Sequence, residues 1–424
     1  MKRHFEKSFF IESGIKVGKV NSNTENRSYC IKSICYVLVS FPQVSETFIS
    51  EEAQSLQSFG IDMCVFAFEQ GNFDVVHHSA KALLKQNKVR YLQDWSRLQL
   101  IWALVELFLK KPKTVLNTLR KALKSSERWR YIQALPYALE LLKNKTDYIH
   151  AHFADNNLCF AAVLSEWADI PFGFTMHGYD LRNDPLTIPV LSSLANQASA
   201  IVTVSEYNKR YMIEKYCLKP EQIYVAYNGI RAEIFQPSPK GIEHPVLNLI
   251  NVGRLVPIKG QDILLEALHR IREQGCVVRL RIIGGGPLRN ELEAQAQRLN
   301  VLDCVEFMGA QSQEVVCQCL NEADVFVMPS RSEGFAVACL EAMAMELPVI
   351  ASNVTGFPEA ITNYETGILV QSENAVELAE AIIWMIKHPE QRREMGKKGR
   401  EKVLAKFTRE KVTEGLLNYW QNSI

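Results

Sequence analysis

Along most of the chain, short apolar runs alternate with longer stretches in which apolar residues recur every three or four positions. The short runs, bounded by Gly, Pro, Asn or Ser, predict buried strands, and the longer windows predict helices. Strands are expected at 33–40, 63–68, 148–153, 171–176, 200–204 and 223–227, then at 246–252, 280–283, 305–308, 325–328, from 349 and at 366–370. Helices fall between them. The first starts near Ser45–Thr47 and is stopped by Gly60, others cover 261–273, 288–299, 375–386 and 391–403, and a last segment runs over 408–420. Regular alternation of this kind predicts an α/β protein with parallel sheets.

One region breaks the rhythm. Residues 98–109 are apolar apart from Gln99 and Glu106, and 110–130 carry eight basic residues against one acid, Glu127. Leu116, Leu119 and Leu123 recur at helical spacing, while Lys113, Arg120, Lys121 and Lys124 fall largely elsewhere on the wheel. Such a helix either lies on an anionic membrane surface or packs on its own domain with a solvated basic face. The pattern leaves both open.

The 424 residues exceed one ordinary core and predict two domains. The expected divisions are a polar extension at 1–30, a first domain at 31–236, a second at 237–405, and a closing segment at 406–424. A net charge of +1 gives no reason to expect nucleic acid as a partner. Ten cysteines are scattered without a C-x-x-C pair, which reads as reduced thiols of a cytoplasmic protein with neither a disulfide framework nor a zinc site. No apolar run reaches the roughly 18 residues needed to cross a bilayer, and the first thirty lack a secretory apolar core.

Candidate chemistry lies in loops that follow strands, where open α/β sheets bind ligands. Gly253-Arg254-Leu255-Val256-Pro257-Ile258-Lys259-Gly260 joins a strand to a helix. Two cations flanked by glycines at a helix amino end suit a diphosphate. Gly284-Gly285-Gly286-Pro287 follows the next strand; it is not a G-x-G-x-x-G fingerprint but can pass close to phosphate or sugar. His177-Gly178-Tyr179-Asp180 follows another strand, and His150 and His152, with no third ligand at useful spacing, predict no metal. Residues 323–352 read as strand, polar turn, apolar helix and strand. Glu333 stands at the expected helix entrance, and Glu341 lies about 12 Å further along the axis and roughly 80° round it. Taken alone, Glu333 is equally a first-turn acid, Glu341 a paired core carboxylate, and Ser45-Glu46-Thr47 a helix cap.

Taken together, P-S-R-S-E-G-F-A-V-A-C-L-E-A-M-A, the Arg254–Lys259 loop, T-M-H-G-Y-D and Tyr227-Asn228-Gly229-Ile230 resemble, in order and spacing, the glycogen synthase-like group of retaining glycosyltransferases, family 4. The wording around Ser45–Phe48 is similar to the bacterial exopolysaccharide branch. The resemblance implies two Rossmann-like domains facing a cleft (the GT-B architecture), with the last helix returning to the first domain. It implies transfer of a hexose, with retention, from a UDP- or GDP-sugar to a glycan or polyprenyl-linked acceptor, without metal or other cofactor. By the same resemblance Gly253, Arg254 and Lys259 hold the donor diphosphate, and Glu341, Gly285 and Pro329 its nucleotide. Gly334, Phe335, Ala336 and Val337 face the donor sugar, His177 and Glu333 are catalytic, and Ser45, Glu46 and Asp180 lie on the acceptor side.

The chain departs from the group at Pro42 to Thr47, where a glycine-rich turn is common, so acceptor chemistry does not carry over from better-known members. The basic segment motivates peripheral contact of residues 98–130 with the inner face of the cell membrane. Two other readings stay open: a nucleotide-sugar epimerase of the same architecture, and a non-catalytic binder of nucleotide sugar or glycan.

Overall fold

The computed structural model describes residues 30–424 apart from 44–45, 72–77, 94, 184 and 239–245. The amino extension, most of the linker and Ser45 therefore lie outside the described residues. The chain forms two compact units. The first takes the chain to Thr203, then Lys209–Tyr224 and Leu416–Ile424; the second takes Val204–Asn208 and Val225–Gly415.

The first unit is built on a seven-stranded sheet: β1 (Ser33–Phe41), β2 (Asp62–Gln70), β3 (Val89–Tyr91), β4 (Tyr148–His152), β5 (Phe172–Met176), β6 (Ala200–Thr203) and β7 (Ile223–Val225). Its order is β3-β2-β1-β4-β5-β6-β7. Every residue of β4 and β5 is buried, as expected for central parallel strands covered by helices on both faces. The strand missed by pattern is β3, three residues long and only half buried, too short to show a period. The irregular region 98–130 resolves into helices Arg97–Lys110, Pro112–Lys124 and Arg128–Lys143.

The second unit carries a six-stranded sheet: β8 (Leu247–Val252), β9 (Val278–Ile283), β10 (Val305–Gly309), β11 (Val325–Met328), β12 (Val349–Ser352) and β13 (Gly367–Val370), in the order β10-β9-β8-β11-β12-β13. In each sheet the winding direction reverses once, between β1 and β4 and between β8 and β11. Ligands of doubly wound sheets bind beyond the carboxyl ends of the strands at such a reversal. The topology therefore singles out the loops after β1 and β4 in one unit, and after β8 and β11 in the other. Two Rossmann-like α/β halves are the fold class expected from the sequence.

Candidate active site

In the second unit, β8 runs into Gly253 and β9 into Gly284, and the two loops are stitched backbone to backbone. Gly253 N–H donates to the Ile283 carbonyl at 2.9 Å, Leu255 N–H to Gly285 at 2.9 Å, and Gly284 N–H to Gly309 at 2.8 Å. Gly284 sits at φ +145°, and a Cβ there would lie 1.9 Å from the Gly253 carbonyl oxygen. Gly285, the glycine singled out by the sequence, has ordinary space around it; its contribution is the carbonyl that holds Leu255. Gly284→Ala must push the two loops apart. The expected outcome is a loss of about 2–4 kcal/mol of unfolding free energy in urea titration, together with weakened anion binding.

The loop after β8 ends in a short 3-10 turn, Pro257–Lys259, closed by Gly260 at φ +69°. A Cβ on Gly260 would stand 2.1 Å from the Pro329 carbonyl oxygen, so this glycine lets the end of β11 pack on the turn. That contact brings residues 330–333 beside Lys259. Lys259 Nζ is hydrogen-bonded to Glu333 Oε1, the buried Ser330 hydroxyl donates to the same oxygen at 3.0 Å, and Glu333 N–H donates to Thr355 Oγ1 at 2.9 Å. Arg331 braces the arrangement through two hydrogen bonds to Asp262, at 2.7 and 3.0 Å, and one to Glu373 at 2.9 Å. The Arg254 side chain is exposed and has no hydrogen-bond or ion-pair partner among the described residues.

Glu333 does not begin a helix. The helix is only Val337–Ala344, because residues 330–336 form a loop and Ala336 is extended. The expected 12 Å axial separation of the two glutamates therefore does not apply. Glu341 is half buried on that helix, close enough to Cys317 to add to the burial that pushes the thiol up to about 11. Gly334, Ala336 and Val337 are partly exposed. Phe335, expected against the donor sugar, points its ring into the core instead, 4.8 Å from Tyr227 and 5.4 Å from Phe407. Only its backbone carbonyl is turned elsewhere, accepting from Asn228 Nδ2 at 3.0 Å.

In the first unit, β5 delivers His177 and β4 delivers His152. Nδ1 of His152 and Nε2 of His177 lie 3.0 Å apart, so one ring donates to the other, and the rings stack at 5.3 Å. Behind them Glu52 Oε1 accepts from the Tyr36 hydroxyl at 2.5 Å and lies 3.6 Å from His152 Nε2. Phe48 and Phe153 flank His177 at 4.8 and 4.9 Å. Burial pushes His177 and His150 down to about 3, so both are neutral near pH 7. The Nδ1 atom of His177 is buried without a hydrogen-bond partner among the described residues. Asp180, expected on the acceptor side, is instead almost wholly buried. It accepts the N–H groups of His177 (2.8 Å), Gly178 (3.0 Å) and Ala154 (3.0 Å), tying the two loops together. Burial outweighs those bonds and pushes its carboxyl up to about 6. Glu46 stands just before the helix Thr47–Ser58.

The buried histidines make a testable pH dependence. The folded pKa of His150 lies below its unfolded value, so between about pH 6.5 and 3 the unfolded chain binds the extra proton and stability falls as pH falls. Asp180, with a raised pKa, has the opposite sign, but it is common to wild type and variant. His150→Gln keeps a partner for Thr175, to which His150 Nε2 bonds at 2.8 Å. The variant should therefore lose about 1.4 kcal/mol per pH unit of the slope measured by urea unfolding between about pH 6 and 5.

Of the residues singled out by the sequence, Lys259 on the loop after β8 and Glu333 on the loop after β11 are brought together, while Arg254 stands exposed on the first of these loops. The sequence gives no sign of the parts played by Ser330, Thr355 and Arg331, nor in the first unit of Glu52 behind His177; Gly260, Gly284 and His152 stand out in it, but without the contacts they make here. Among the described residues no three His, Cys, Asp or Glu side chains converge as a metal site, and all ten cysteines are free.

Comparison with known proteins covers nearly all of the described chain. Residues 45–234 match Glycosyltransferase Family 4, and 233–402 match the group 1 glycosyl transferases. A glycosyltransferase of Methanocaldococcus jannaschii is 32% identical over 278 residues, 65% of this chain and 75% of that protein. A protein of Escherichia coli named as a colanic acid biosynthesis glycosyltransferase, WcaL, is 25% identical over 91% of this chain and 98% of its own. Among solved structures, Anabaena HepE in complex with UDP superposes with a TM-score of 0.72 at 20% identity, covering 92% of this chain and 99% of that one, a likeness of fold.

Proposed function

From a chain that belongs to the family 4, group 1 glycosyltransferases, we propose a narrower activity: retaining transfer of a hexose from a nucleoside diphosphate sugar to a glycan or lipid-linked acceptor in exopolysaccharide synthesis. The observation that carries the donor class is the second unit's anion cradle. The exposed guanidinium of Arg254 and the ammonium of Lys259 stand on one loop, between β8 and the amino end of the next helix, where two cations suit a diphosphate. HepE, solved with UDP and with UDP-glucose, supports a uridine donor.

In the proposed reaction the acceptor hydroxyl oxygen bonds to the anomeric carbon as the bond from that carbon to the diphosphate oxygen breaks. The hydroxyl proton passes to the departing diphosphate on the same face. Arg254 and Lys259 stabilise the charge that grows on the leaving group. His177, neutral at the working pH, serves the transferred sugar through hydrogen bonding rather than as a cation. No step calls for a metal. Glu341 serves the ribose.

The test is calorimetric titration of the purified chain with UDP-, GDP- and ADP-sugars. One donor should bind in preference to the others, and binding should be lost in Glu341→Ala. If the folded protein binds none of them, the donor assignment fails. An epimerase is separated by product analysis: transfer requires an acceptor and releases the nucleoside diphosphate with one glycoside formed per donor consumed.

A further inference from the structure

The three helices between β3 and β4 carry an unusual surface. Of the nineteen large apolar side chains exposed among the described residues, ten fall between positions 98 and 132. Five of them, Leu98, Ile101, Trp102, Val105 and Leu109, recur at three- and four-residue steps along the helix Arg97–Lys110 and so share one face. Leu98 is 80% exposed, Trp102 67% and Leu109 77%. The opposite face, with Ala103 and Leu107, is buried in the unit. A helix on a globular surface ordinarily turns one apolar stripe inward and polar residues outward; this one is apolar on both sides. A cleft of about 720 Å³ continues the outer face towards the helix Arg128–Lys143, with Trp95, Pro136 and Leu139 in its wall. Exposed apolar surface on this scale marks an interaction site.

The charge around it selects the partner. Residues 97–130 hold nine Lys and Arg against two acids, in a chain whose net charge is only +1. Lys111 and Lys121 are paired with Asp169 and Glu166. Lys113, Arg120 and Lys124 are exposed on the helix Pro112–Lys124, beside the exposed Leu116 and Leu123, and have no ion-pair partner among the described residues. A second copy of this chain would set one cationic field against another. No helix among the described residues is long and apolar enough to cross a bilayer, so contact would lie in the plane of its surface.

We propose that this face docks on an anionic phospholipid surface. Leu98, Ile101, Trp102, Val105 and Leu109 enter the boundary between headgroups and acyl chains, and Lys113, Arg120 and Lys124 meet the headgroup phosphates. The apolar part of the contact thus comes from the helix preceding the basic one, since the Val115 side of the basic helix packs inward and Leu119 is partly buried against the core. The inference rests on exposure and charge, and holds whatever sugar is transferred.

The experiment is co-sedimentation of the full chain with vesicles of phosphatidylcholine alone and with about one third phosphatidylglycerol. Wild type should partition onto the anionic vesicles and be released by salt. Two variants, Leu98→Gln/Trp102→Gln/Leu109→Gln and Lys113→Gln/Arg120→Gln/Lys124→Gln, should each bind them about tenfold more weakly or worse. All six positions are exposed, so thermal midpoints and nucleotide-sugar titration should match wild type, which separates this result from the donor assignment. Equal binding to both vesicle types overturns the proposal, as does undiminished binding by the apolar variant. A wild-type dimer that the apolar variant dissolves, with vesicle binding unchanged, also overturns it and makes the face a self-interface.

Discussion

Arg254→Ala should weaken binding of UDP by about 10- to 100-fold while leaving the thermal midpoint within about 1 °C of wild type. The size follows from losing a charge-assisted hydrogen bond, about 1.5–3 kcal/mol, with each 1.4 kcal/mol a factor of about ten. The unchanged midpoint follows from the position: the side chain is exposed and holds nothing else in place. Lys259→Ala makes the necessary contrast. It removes a cation of the same kind, but it also strips Glu333 of its ion-pair partner in a site where the two side chains are 17% and 12% exposed. That variant should lose UDP affinity and, in addition, about 1–3 kcal/mol of stability. Isothermal titration with UDP, read beside differential scanning calorimetry, tests both. If Arg254→Ala binds UDP like wild type, the loop after β8 is not the diphosphate site.

Glu333→Gln should separate binding from chemistry in the opposite direction. Its Oε1 is held by Lys259 and Ser330, and its backbone by Thr355, so the amide can occupy the same place with little rearrangement. Removing the negative charge releases Lys259 from its partner, and UDP affinity should stay equal or rise by up to about tenfold. If the carboxylate supports the positive charge that develops on the transferred sugar, the transfer rate should fall by about 100- to 1000-fold. A variant that keeps its rate reduces Glu333 to a brace for Lys259, and one that loses UDP affinity as well shows that the pair organises the loop.

How much of this was legible depended on whether the relevant partner lies nearby in sequence. Arg254 and Lys259 could be found because a strand, a glycine and a helix bracket them within a dozen residues. The reversal of strand order at their loop is a property of the sheet that the strand-and-helix rhythm does not fix. The brace Arg331–Asp262 joins residues 69 apart and has no local signature. Among three consecutive glycines, the backbone angle and the approach of the neighbouring loop set Gly284 and Gly286 apart from Gly285, and neither is a property of the string. Phe335 was misplaced because a loop aromatic in a functional motif reads alike whether its ring faces substrate or core; Tyr227 and Phe407 decided it. Asp180 likewise reads as a free acid until three backbone donors are seen to surround it.

The last helix, Arg409–Ser423, begins in the second unit and ends in the first. There Trp420 is fully buried, its ring 4.8 Å from His150 and 5.3 Å from Tyr148, and the Tyr419 hydroxyl donates to the Gln222 carbonyl at 2.8 Å. The wall behind the first unit's histidines is thus supplied by residues translated after the entire second unit. During synthesis the second unit, apart from Val204–Asn208 an unbroken stretch, is free to close while the first still lacks a piece of its core. The histidine cluster is sealed only once Trp420 has been made. A first unit deprived of Leu416–Ile424 would therefore carry a hole in its core where Trp420 belongs.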